Sequence, residues 1–218
     1  MPEIIAQGSL PKGKGLFQTI GKRYLGRLSA LALHGFQTLF MTIEKNYFAL
    51  FGLPERFQVD SAELSDRYLS LQKTLHPDRA HQSEREQLRA VQAVAQLNAA
   101  LATLKSPLKR AAYLLELKGV DTDSSAATIG DTDFLLQQML LREQLDDAKQ
   151  AADPDAALES LLETLESHEQ PLKETLVNHL ASSEPLVLQQ ALVNLRKLQF
   201  FDKLRQQIEL VEDQLADL

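Results

Sequence analysis

Cysteine is absent from this 218-residue chain. That removes disulfides, thiolate metal sites, iron–sulfur ligation by cysteine and cysteine nucleophiles at once. The five histidines are the only soft ligands left, and no two stand four apart with a third ligand near, so neither a metal nor a cofactor is expected. Tryptophan is missing, and glycine and proline number only 9 and 8, which argues against a loop-rich or fibrous chain. Long apolar runs are scarce. The best, "LGRLSALALHGFQTLF", is broken by Arg27, His34 and Gln37, whereas a membrane span needs about 20 nearly uncharged residues. No phosphate-cradling glycine loop occurs either.

Leu, Ala, Gln and Glu fill the space these residues leave, and they favour helix almost throughout. Residues 1–40 set Lys12, Lys14, Lys22, Arg23 and Arg27 against Glu3 alone, a balance of +4, so the remaining residues hold −11 to give the net −7. An acidic body excludes nucleic acid as the main partner. Residues 1–44 form an extension with two open readings. One is an upstream start preceding "MTIEKNYFALFGLP"; the other is a targeting or membrane-surface segment. No membrane association is expected of residues 41–218.

Punctuation along the rest predicts an all-α fold. "NYFALFGLP" reads as a short helix stopped by Gly52 and Pro54. Asp60 with Glu63 makes a capping-box pattern, and Leu64, Tyr68, Leu71 and Leu75 follow as one apolar stripe. Pro77 ends that helix. Ser83 with Glu86 predicts a second box opening a helix through Leu104, and Ser106-Pro107 starts another that closes near Gly119. Residues 120–131 carry no periodicity and read as a linker. Helices are expected over roughly 132–151, 154–181 and 185–216, with Pro171 kinking the middle one, which makes a three-helix bundle over 132–218.

The triplet His76-Pro77-Asp78 stands where the first long helix gives out. As a catalytic pair it is badly built: Pro77 points its neighbours apart, and no nucleophile or oxyanion donor is near. No catalytic residue is expected anywhere in the chain. Taken alone, the triplet is an ordinary helix stop and turn. However, the preceding helix brings Arg67 and Lys73 towards it, and Arg79 follows it.

A basic helix leading to His-Pro-Asp between two long helices resembles the J-domain of DnaJ-type co-chaperones, here over 45–119. That resemblance implies that the triplet, with Arg67, Lys73 and Arg79, docks on the ATPase domain of a DnaK-type chaperone. The glycine/phenylalanine-rich and zinc segments of general DnaJ proteins are absent. Instead "YFALFGLP", "LHPDR", "SPLKRAAYLLELKG", "DTDFLLQQMLLREQLDDA" and "LRKLQFFDKL" resemble the HscB family, the co-chaperones of iron–sulfur cluster assembly. The resemblance runs from about Asn46 to the C-terminus and implies HscA and the scaffold protein IscU as partners, in the cytoplasm. Residues 1–40 have no place in the bacterial pattern. An alternative is a membrane-tethered J-protein with another client, anchored by residues 1–40.

The helix from Phe134 has two apolar sides. At 100° per residue Phe134, Leu141 and Leu145 fall within about 40° of one another, while Leu135, Leu136, Met139 and Leu140 spread over about 140° on the other side. A surface helix of a bundle buries one stripe. The other is a partner surface with Glu143, Asp146 and Asp147 on its margin, or it closes the bundle or packs on the J-domain. Periodicity does not decide which stripe faces out. The family resemblance implies scaffold binding by Leu135, Leu136, Met139, Leu140, Glu143 and Asp147, joined by Phe200.

Overall fold

In a computed structural model, residues 46–75, 84–122 and 131–216 are described. Among them the only regular structure is helix: α1 (Tyr47–Phe51), α2 (Ser61–Leu75), α3 (Glu84–Lys105), α4 (Pro107–Leu117), α5 (Thr132–Ala148), α6 (Pro154–Leu180) and α7 (Pro185–Ala216). Residues 1–45, the triplet His76-Pro77-Asp78, Arg79 and the second predicted capping residue Ser83 lie outside the described residues.

Most helix starts are set by side chains close in sequence. The Asn46 carboxamide oxygen accepts from Ala49 N at the start of α1, and Gly52 stops that helix with φ +62°. Asp60 accepts from the amides of Ala62 and Glu63 at the head of α2. The predicted box is only half formed, because the Glu63 carboxylate turns to Arg67 one turn on. A charge-assisted bond to a guanidinium outcompetes a neutral amide. Ser106 and Pro107 open α4 as expected. Helix α5 ends at Ala148, three residues before its predicted limit. There Gln150 N and Ala151 N bond back three residues, to Asp147 O and Ala148 O, tightening the chain into turns. Helix α6 continues unbroken past Pro171.

Packing divides the molecule differently from the order of its helices. One core gathers Phe48, Leu64, Leu75, Leu97, Leu104 and Leu115 of α1–α4, together with Leu176 and Leu180 of α6 and Leu188, Leu192, Leu195 and Leu198 of α7. The second gathers Phe134, Leu141 and Leu145 of α5 with the other halves of α6 (Leu158, Leu161, Leu165) and α7 (Phe201, Leu204, Ile208). Residues 120–131 therefore separate helices in sequence without separating the cores: the division crosses the middle of α6 and α7. Along α7 the two sets lie on nearly opposite faces. Leu188, Leu192 and Leu195 span about 60°, and Leu204, Ile208 and Val211 span about 60° centred about 160° away.

Candidate partner-binding site

Helix α5 is seated by its buried stripe. Phe134 and Leu141 are each 3% exposed, and Leu145 and Ala148 are buried beside them. The opposite stripe remains in water: Leu135 is 48% exposed, Leu136 55%, Met139 66% and Leu140 58%. Four large apolar side chains along two turns of one helix form a contiguous patch of the kind that soluble proteins seldom leave open without a use. Completing the burial of each half-covered side chain contributes about 1 kcal/mol, half of the usual full-burial value.

Aromatic packing holds the N-terminal end of α5. The Phe134 ring meets Phe200 and Phe201 edge-on at 5.7 and 5.8 Å, and Phe200 meets Phe201 at 5.6 Å. Phe201 is fully buried, whereas Phe200 is only partly covered, with the Arg142 guanidinium 5.3 Å over its ring. Asp131 caps the helix through Phe134 N and also receives the Lys197 ammonium, which lies 5.0 Å over the Phe134 ring. The Lys197 hydrogen bond, seconded by the Phe134 amide, holds the Asp131 carboxyl below its ordinary 3.8. Glu143 and Asp147 are exposed one and two turns beyond the patch, and Asp146 pairs with Lys149.

The structure thus brings Leu135, Leu136, Met139, Leu140, Glu143, Asp147 and Phe200 to one region of α5 and α7. The roles of Lys197 and Arg142 were not anticipated. Asp131 is 66 residues from Lys197, and only the "Asp-Thr" cap pattern before α5 offered a local signal.

The other predicted site is partly described. Arg67 is not a free cation on the face of α2. Its guanidinium donates to Phe51 O and Gly52 O at the end of α1 and pairs with Glu63. The carbonyls at a helix C-terminus carry partial negative charge, so they draw in the nearest cation. Arg67 consequently braces α1 against α2, while its side chain keeps 38% of its surface in water. Lys73 is exposed and makes no ion pair with any described residue. Among the described residues no cluster of three His, Cys, Asp or Glu is placed to share a metal ion, and no helix is long and apolar enough to cross a membrane.

Comparison with known proteins is consistent along the chain. The model of the HSCB C-terminal oligomerisation domain matches residues 130–209, the stretch containing α5, α6 and most of α7. A co-chaperone protein HscB homolog of Pseudoalteromonas atlantica is 47% identical over 173 residues, covering 79% of this chain and 99% of that protein. One of Aeromonas salmonicida is 45% identical over the same length and coverage. Among solved structures, chaperone HscB from Vibrio cholerae superposes with a TM-score of 0.69 at 44% identity, covering 78% of this chain and 99% of that one. Human co-chaperone protein HscB gives 0.68 at 26% identity, covering 77% and 82%.

Proposed function

The chain belongs to the HscB family of co-chaperones in iron–sulfur cluster assembly, and from that premise we propose that it is a two-ended adaptor without catalysis of its own. One end, His76-Pro77-Asp78 with Arg67, Lys73 and Arg79, stimulates the ATPase of a DnaK/HscA-type chaperone in the cytoplasm. The other end, the open stripe of α5 with Phe200, Glu143 and Asp147, holds an IscU-type scaffold protein for delivery. The observation that carries the reading is the two-sidedness of α5: Phe134 and Leu141 are buried while Leu135, Leu136, Met139 and Leu140 face water. The acidic margin favours a scaffold surface with basic side chains around an apolar centre.

The test measures both ends on the same variants. His76→Gln is expected to abolish ATPase stimulation while leaving scaffold affinity unchanged. Leu136→Ala with Met139→Ala and Leu140→Ala is expected to weaken scaffold binding at least tenfold and spare stimulation by the free co-chaperone. Chaperone docking is also expected to weaken from 0.1 M to 1 M salt, because the screening length falls from about 10 Å to about 3 Å. Stimulation that survives His76→Gln at the wild-type level removes the first assignment. Undiminished scaffold affinity in the triple variant removes the second.

A further inference from the structure

Among the described residues two charged side chains are buried, and the fold treats them differently. The Glu169 carboxylate of α6, 5% exposed, is held by Lys173 and by Arg205 of α7. Arg110, near the start of α4, is 7% exposed and pairs with no carboxylate of any described residue. Its Nη1 donates to Leu104 O at 2.7 Å, and the Phe57 ring centroid lies 5.0 Å from its Cζ. Its Nε is buried without an acceptor. A buried charge is ordinarily paired. Burial lowers the affinity of Arg110 for its proton, but a guanidinium stays charged at neutral pH, so the demand for a counter-ion persists.

The same guanidinium lines an open groove of about 550 Å³ between the α1–α2 connector, α4 and α6. Phe57 and Val59 of the connector and Val177 of α6 give the groove apolar walls. Arg56 is a second lining cation. Its Nε donates to Gln58 O, and it too pairs with no carboxylate of a described residue. The lining carboxylate, Asp60, is turned to the amides of Ala62 and Glu63 at the head of α2. Apolar walls around a few convergent polar groups are the usual lining of a ligand site, and here the uncompensated polar groups are cations.

We propose that this groove binds a carboxylate carried on an apolar body, with Arg110 as its anchor. The bond to Leu104 O occupies Nη1 and leaves the Nε–Nη2 edge, the side-on fork from which a carboxylate accepts two parallel bonds. Phe57 is only partly buried, and a turn of its ring admits the ligand to Nε. Arg56, which is exposed, adds positive charge at the open side, and the ligand body lies against Phe57, Val59 and Val177. Inorganic phosphate has no apolar part to set against these walls. None of the lining residues belongs to α5 or α7, so the site is separate from the open stripe of α5. An occupant ties the α1–α2 connector to α4 and α6.

Benzoate is the probe, titrated into the full chain and read at the ¹H–¹⁵N resonance of the Arg110 Nε–H and at the Phe57 ring protons. Benzoate is expected to move both saturably, and benzamide and inorganic phosphate to bind at least tenfold more weakly. Arg110→Lys keeps the charge without the fork and is expected to weaken benzoate at least tenfold, read at Phe57. Should Arg110→Lys fail to give a cooperative melt, Val177→Phe, which fills the groove from α6 and leaves Arg110 in place, is expected to cause the same loss. A peptide with a free C-terminal leucine, run beside its amide, binds tighter than benzoate if the natural ligand is a chain terminus and weaker if it is a small acid; each upholds the site. An unmoved Arg110 resonance, benzamide binding as tightly as benzoate, or undiminished affinity in Val177→Phe overturns it.

Discussion

Phe134 and Leu135 are adjacent in the chain, yet one is 3% and the other 48% exposed. The 100° step between them places one ring against Phe201 and leaves the other side chain in water. Truncation should separate the two stripes. Phe134→Ala should cost about 3–5 kcal/mol and Leu141→Ala about 2–5 kcal/mol, read from denaturant midpoints. Leu135→Ala with Leu136→Ala should stay within about 0.5 kcal/mol per residue, since exposed positions forfeit little. Asp131 gives a pH prediction. Its folded carboxyl titrates below its ordinary value because Lys197 and the Phe134 amide bind the charged form. Its stabilising effect is therefore present above the unfolded value, near 4, and is lost as pH falls through the lower folded one. Asp131→Asn should lower the melting temperature at pH 7 and converge with wild type as the pH falls through that lower folded value. The existence of two stripes was legible from spacing alone. Which stripe faced water was not, because that depends on where Phe200 and Phe201 arrive from a helix some 60 residues on.

Cations from other segments close several helix ends. Arg67 holds the carbonyls of Phe51 and Gly52 after α1, Arg110 donates to Leu104 O in the last turn of α3, and Lys118 donates to Ser182 O just beyond α6. Start signals were readable from sequence because a capping side chain sits within three residues of the amides it serves. The end clamps were not, since Arg67 and Phe51 are 16 residues apart and meet only once α1 folds back along α2. The charge and the helix of Arg67 were legible, and the brace it forms to the end of α1 carried no local signal. Gly52 is where clamp and turn coincide: φ is +62°, and an added Cβ would lie 2.9 Å from the Arg67 guanidinium. That guanidinium is pinned by its own bonds and cannot retreat without losing them. Gly119 also has positive φ, +80°, but has open space around it. Gly52→Ala should therefore destabilise by more than the ~1–2 kcal/mol of left-handed strain alone, and Gly119→Ala by no more than that, both measured by urea unfolding.

At the scale of the molecule, the helix order and lengths were legible, and the shared core was not. Leucines at the right period reveal that a helix buries a face, but they carry no address for the partner. Leu176, Leu188 and Leu195 could as well have served α5 as Phe48 and Leu115; in the fold they serve the latter. An isolated 45–119 fragment should thus expose the apolar surface that α6 and α7 cover. It should bind a hydrophobic dye and unfold at a lower urea midpoint than the same helices in the full chain. A midpoint equal to that of the full chain would show that the contribution of α6 and α7 to the first core is idle. The threading of α7 through both cores also has a consequence for synthesis. The ribosome delivers α1–α4 first, but the leucines that complete their core arrive only with residues 176–198. The first core therefore closes after α5 has already emerged. A chain cut short before α7 is left with both cores incomplete and apolar surface exposed to degradation.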